Sequence, residues 1–80
     1  MSLAKAMQHH FSRAWLNAEP LAGVLFSLND YVQISDGPAA GQHGYTMSLM
    51  AVEPEVVYLV EVSGTGQDVQ VQQCSLQRVT

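Results

Sequence analysis

Few residues in this chain stand at spacings that support chemistry. In Val69-Gln70-Val71-Gln72 two amides lie two residues apart, so an extended backbone puts both on one face, where each can donate and accept hydrogen bonds. His9 and His10 are neighbours on a predicted helix, about 100° apart around its axis, so they cannot grip one metal ion as an i, i+4 pair would. His43 stands alone in a glycine-rich loop, and no metal site is expected. Cys74 has no adjacent Lys, Arg or His to favour its thiolate, so it reads as a packing residue. Gly64-Thr65-Gly66 joins two predicted strands and precedes no helix, which makes it a hairpin turn and not a phosphate cradle. No Gly-x-Ser-x-Gly elbow accompanies the serines, and neither catalysis nor a bound cofactor is expected.

The elements that position these residues fall into two parts, an arm over 1–20 and a domain over 21–80. Leu3, Met7, Phe11, Ala14 and Trp15, joined by Ala6 and Ala18, recur at three- and four-residue steps, the signature of an amphipathic helix of about four turns. Pro20 ends it by biasing Glu19 away from helical geometry. Beyond Pro20 the period shortens. Phe26 and Leu28 alternate with Leu25 and Ser27, Asn29-Asp30 bends the chain, and Val32 and Ile34 alternate with Tyr31, Gln33 and Ser35. A loop follows with glycines at 37, 41 and 44, shaped by Pro38.

From Gly44 to Val52 a strand can be read in two registers, with Tyr45, Met47, Leu49 and Ala51 on one face and Thr46, Ser48, Met50 and Val52 on the other. Both faces carry apolar groups, so one is a candidate interface. Glu53-Pro54-Glu55 turns the chain into Val56–Val62, the strongest strand by β-branched and aromatic content. Residues 68–72 form a strand, 73–75 a helical turn and 76–79 a closing strand. Val32, Ile34, Leu59, Val69 and Val71 are expected to share one core. Five short strands with tight turns predict a closed small barrel.

Composition narrows the function classes. A single domain of 80 residues has a small core, and with Cys74 as its only cysteine it has no internal disulfide to reinforce it. Self-association is the available substitute, and a homo-oligomer is expected. A lone cysteine fits a reducing cytoplasm. The longest apolar run, 21–28, is too short to span a bilayer, and His9, His10 and Arg13 interrupt any leader-like stretch, so no membrane partner is expected. Residues 30–80 hold six carboxylates against Arg78 alone, a net of −5, which argues against a nucleic-acid partner.

The strand Val32–Ile34, the loop Gly37-Pro38…Gly41…Gly44 and the C-terminal Val69-x-Val71…Leu76-x-x-Val79 together resemble the Src-homology-3 type of barrel found in KOW domains. This resemblance covers residues 26–80 and implies a mainly β fold: a five-stranded Src-homology-3-like barrel with an N-terminal amphipathic helix. Nucleic-acid-binding members of that group usually carry Lys or Arg in the loop where this chain has Asp36, Gln42 and His43. Val69–Gln72 is also similar to the Val-Gln-Ile-Tyr strand of plasmid-borne type II dihydrofolate reductases, tetramers whose strand glutamine lines a central pore. Leu76-Gln77-Arg78-Val79 likewise resembles their Leu-Glu-Arg-Ile. Gln70 matches the pore glutamine, but Ile34 falls at the position of the pore lysine, Gln72 at that of the tyrosine, and the barrel tryptophan has no counterpart in 39–42.

The expectation is thus a non-catalytic, self-associating protein-interaction module. Gln70, Gln72 and Tyr58 on the strands, and Trp15 and Phe11 on the helix, are its candidate binding residues. A type II reductase-like oligomer and a KOW-like nucleic-acid binder are the alternatives.

Overall fold

The computed structural model describes residues 11–79. Five strands, β1 (Tyr31–Ile34), β2 (His43–Ala51), β3 (Val57–Val62), β4 (Asp68–Gln72) and β5 (Leu76–Arg78), form one antiparallel sheet in the order β4-β3-β2-β1-β5. A 3-10 turn, Gln73–Ser75, carries the chain from β4 to β5. That turn directs β5 back to β1, where Val32 pairs with Arg78 and Ile34 with Leu76, and β4 is left unpaired on its far side. The expected closed barrel is therefore corrected to a sheet with two open edges, β4 and β5.

Strand parity sets the core. Val32, Ile34, Leu49, Tyr58, Val60, Val62, Val71 and Leu76 are buried with Trp15 and Phe26, and Val69 packs against them partly buried. Leu59, expected inside, is only half-buried on the opposite face. Alternation alone left two phases open for β3, and its even-numbered residues are the buried ones. In β2 neither sequence register holds throughout. Pairing with β3 slips between Thr46 and Ser48 and again between Leu49 and Ala51. The slips change the parity of the strand, so Thr46 and Leu49 are both buried. Gly44 is needed because a Cβ there would lie 2.3 Å from the Glu61 carbonyl oxygen.

Residues 11–16 are helical, whereas Leu3, Ala6 and Met7 of the expected helix lie outside the described residues. The helix stops before Pro20 acts. Ala18 adopts a left-handed φ of 59°, its N–H donates to Trp15 O (3.0 Å), and Glu19 N–H donates to Ala14 O (2.9 Å). These paired bonds make a Schellman terminus, here with alanine where glycine is usual. Trp15 is 3% exposed; its ring packs against Tyr58 of β3, which seats the helix on its own sheet, and its Nε1–H donates to Phe26 O (2.7 Å).

Residues 24–27 join no ladder, although their apolar alternation resembles a strand. Side chains satisfy this backbone instead. Tyr58 Oη accepts from Phe26 N–H, Gln73 Oε1 accepts from Leu25 N–H, and Arg78 donates to Leu25 O. Thr46, buried in β2, holds the following bend: its hydroxyl donates to Ser27 O and accepts from Asp30 N–H.

Candidate functional site

The phase of the β3–β4 ladder decides what β4 offers to its surroundings. Val62 N–H donates to Gln67 O (2.8 Å) at one end, and Gln73 N–H donates to Val56 O (2.7 Å) at the other. With the register Val60↔Val69 and Tyr58↔Val71 between them, Val69 and Val71 spend their backbone groups on β3. Asp68, Gln70 and Gln72 then direct their N–H and C=O groups to the open side. Beside this edge runs a groove of about 460 Å³ whose far wall is Ile34 and the loop from Asp36 to Ala39, with Ser75 at one end. Asp36 Oδ1 accepts from Gly37 N–H (2.8 Å), and Gly37 (φ 88°) and Gly41 (φ 91°) give the loop its turns.

Of the residues singled out from sequence, Gln70 and Gln72 meet at this groove, exposed on β4. Tyr58 does not. It is 0% exposed, its hydroxyl donates to Gln73 Oε1, and its ring packs edge-on against Phe26 with centroids 5.6 Å apart. Trp15 also packs against the Tyr58 ring, centroids 6.2 Å apart, and Phe11 packs partly buried against the same core. These three aromatics consolidate the interior and present little surface to a partner. Burial pushes the Tyr58 hydroxyl above its usual value; backbone N–H groups of Phe26 and Leu25 oppose the shift, and the charge of Asp30 adds to it.

A second cluster lies on the solvent face of the sheet. Tyr31 and Tyr45, directly paired across β1 and β2, are 37% and 43% exposed with ring centroids 4.9 Å apart. His43 stacks on Tyr31 at 5.7 Å, its plane tilted by 14°. Sequence reading placed Tyr31 and Tyr45 on strands without bringing them together; their shared face follows from the loop length, which pairs position 31 with 45. Cys74 is exposed in the 3-10 turn, 3.7 Å from Gln72 Oε1. Among the described residues no three of His, Cys, Asp and Glu converge as metal ligands, and no helix is long and apolar enough to cross a membrane.

No family model matches the chain, and no curated protein matches its sequence. The fold and these two surfaces carry the functional reading.

Proposed function

We propose that this chain is a non-catalytic protein-interaction module related to the small Src-homology-3-like domains, with its five-stranded sheet left open, and that it self-associates through the open edge of β4. The likeness to that group is supported by the strand order, in which the fifth strand returns to pair with the first while β4 and β5 leave the sheet open. The module assignment is carried by one observation: the outward backbone groups of Asp68, Gln70 and Gln72 beside a groove. An exposed edge of this kind accepts another strand. Antiparallel pairing of two copies centred on Gln70 sets Gln70 against Gln70 and each Asp68 against a Gln72. All three pairs then join outward-facing residues, for roughly six new backbone hydrogen bonds, and no two carboxylates oppose each other. A cytoplasmic location fits the exposed thiol of Cys74.

A type II reductase-like oligomer is the second reading, favoured by the exposure of Gln70 at the proposed two-fold axis. Ile34, at the position of the family's lysine, is 1% exposed in the core and supplies no charge for a folate or cofactor phosphate. Steady dihydrofolate-dependent NADPH oxidation is therefore not expected.

Sedimentation equilibrium at tens of micromolar tests the module. A dimer or larger species is expected for the wild type. Gln70→Lys, which sets like charges together at the axis, should yield monomers with an unchanged circular dichroism spectrum. A monomeric wild-type protein would overturn self-association, and NADPH oxidation abolished by Gln70→Ala would replace the module with the reductase.

A further inference from the structure

The solvent face of the sheet carries a row that folding does not explain. Tyr31 pairs with Tyr45, Tyr45 with Glu61, and Glu61 with Asp68, so four side chains stand side by side across β1, β2, β3 and β4. Directly opposed residues on one face have Cβ atoms about 4.5–5.5 Å apart, close enough for Glu61 and Asp68 to repel each other. Both are exposed, and neither has a cationic partner among the described residues, where the ion pair is Arg78–Asp30 at 3.4 Å. Beside this uncompensated pair sit two exposed rings and the stacked His43.

We propose that this row binds arginine side chains of a basic segment from a partner protein. A guanidinium is planar, so one face can lie on the Tyr45 ring while its N–H groups reach the Glu61 carboxylate. A second cation near Asp68 would relieve the repulsion between the two carboxylates. The protein's net charge of −4 attracts such a segment from a distance. Asp36, on the far side of the groove, and Asp30, held by Arg78, lie outside the row. This inference rests on the interaction-module reading and names its partner's chemistry; the row shares Asp68 with the β4 edge but uses its carboxylate on the sheet face, whereas self-association uses its backbone groups.

Fluorescence anisotropy with labelled eight-residue peptides of alternating glycine and arginine, glycine and glutamine, or glycine and glutamate tests it. The arginine peptide should bind, and the other two should not. The double variant Glu61→Gln, Asp68→Asn and the single variant Tyr45→Ser should each weaken binding at least tenfold. A control double variant, Glu53→Gln with Glu55→Gln, removes the same charge from the β2–β3 turn and should leave the affinity within twofold. Equal losses in both double variants would reduce the effect to overall charge and overturn the site, as would no binding of the arginine peptide at millimolar protein. If chemical shifts of Tyr31 and Tyr45 follow protein concentration and ignore the peptide, the face is an interface between copies and the proposal fails. Sedimentation of the same samples separates the two claims. A monomer that binds arginine peptide defeats only self-association through β4, and a dimer that ignores it defeats only this site.

Discussion

At the residue scale, the Tyr58 hydroxyl is the polar centre of an apolar core. It accepts from Phe26 N–H at 3.2 Å and donates to Gln73 Oε1, and Gln73 Nε2–H in turn donates to Gly23 O at 2.9 Å. The link ties a segment without ladder bonds to the sheet. Tyr58→Phe leaves the Phe26 N–H buried and unpaired, at an expected cost of about 1–3 kcal/mol in urea denaturation at pH 7. The same hydroxyl confers a pH dependence. Its folded pKa lies above the ordinary value of about 10, so above pH 10 the unfolded chain releases this proton before the folded one does. The contribution is intact below pH 10 and is lost as pH rises through the folded value. Wild-type stability should therefore fall more steeply above pH 10 than that of Tyr58→Phe, with parallel curves refuting the assignment. Val57-Tyr58-Leu59-Val60 gave no sign of this role, because a tyrosine in an apolar strand fits either face until its hydroxyl finds partners 15 and 32 residues away.

At the scale of elements, local chemistry reads well and long-range pairing does not. The hairpin at 63–66, the 3-10 turn at 73–75 and the strands at 57–62, 68–72 and 76–78 follow from alternation and turn residues. The two slips in β2 do not, since Met47 and Met50 suit either parity and only the match to β3 places the irregularities. The same limit hid the tyrosine–carboxylate row, which exists through registers between four strands. Gln70 and Gln72 were legible as exposed amides on one strand, but the groove beside them needs the 36–39 loop. The helix terminus offers a direct test. Ala18 holds φ 59°, a conformation that costs an L-residue on the order of 1–2 kcal/mol, while glycine adopts it freely. Part of that gain is offset by the greater freedom of glycine in the unfolded chain. Ala18→Gly should therefore stabilise the protein by roughly 0.5–1 kcal/mol, read as a rise in the thermal midpoint. A fall in the midpoint would show that the Schellman terminus does not form.

At the scale of the whole molecule, charge favours the proposed interaction module over a KOW-like nucleic-acid binder. A protein gains affinity for a polyphosphate mainly by releasing counterions, in proportion to the phosphates its cations neutralise. Beyond residue 20 the chain has one cation, Arg78. That side chain is already engaged, with Asp30 at 3.4 Å, with Leu25 O at 3.1 Å and over the Phe26 ring at 5.3 Å. Committing it to a phosphate would dismantle contacts that hold the 25–30 segment. Facing outward instead are Asp36, Glu53, Glu55, Glu61 and Asp68, whose field repels a phosphate backbone before contact. Aromatic stacking on Tyr31 and Tyr45 could still attract an unpaired base, but Glu61 stands beside those rings and an incoming strand would bring its phosphates with it. Neither mixed-sequence duplex DNA nor single-stranded RNA should shift in a gel at 150 mM salt with up to 50 micromolar protein. Lowering the salt to 20 mM should not rescue binding, because beyond residue 20 Arg78 is the one cation whose contact with a phosphate would release counterions. A shift that strengthens at low salt and vanishes on Tyr45→Ser would restore the nucleic-acid reading and place it on this face.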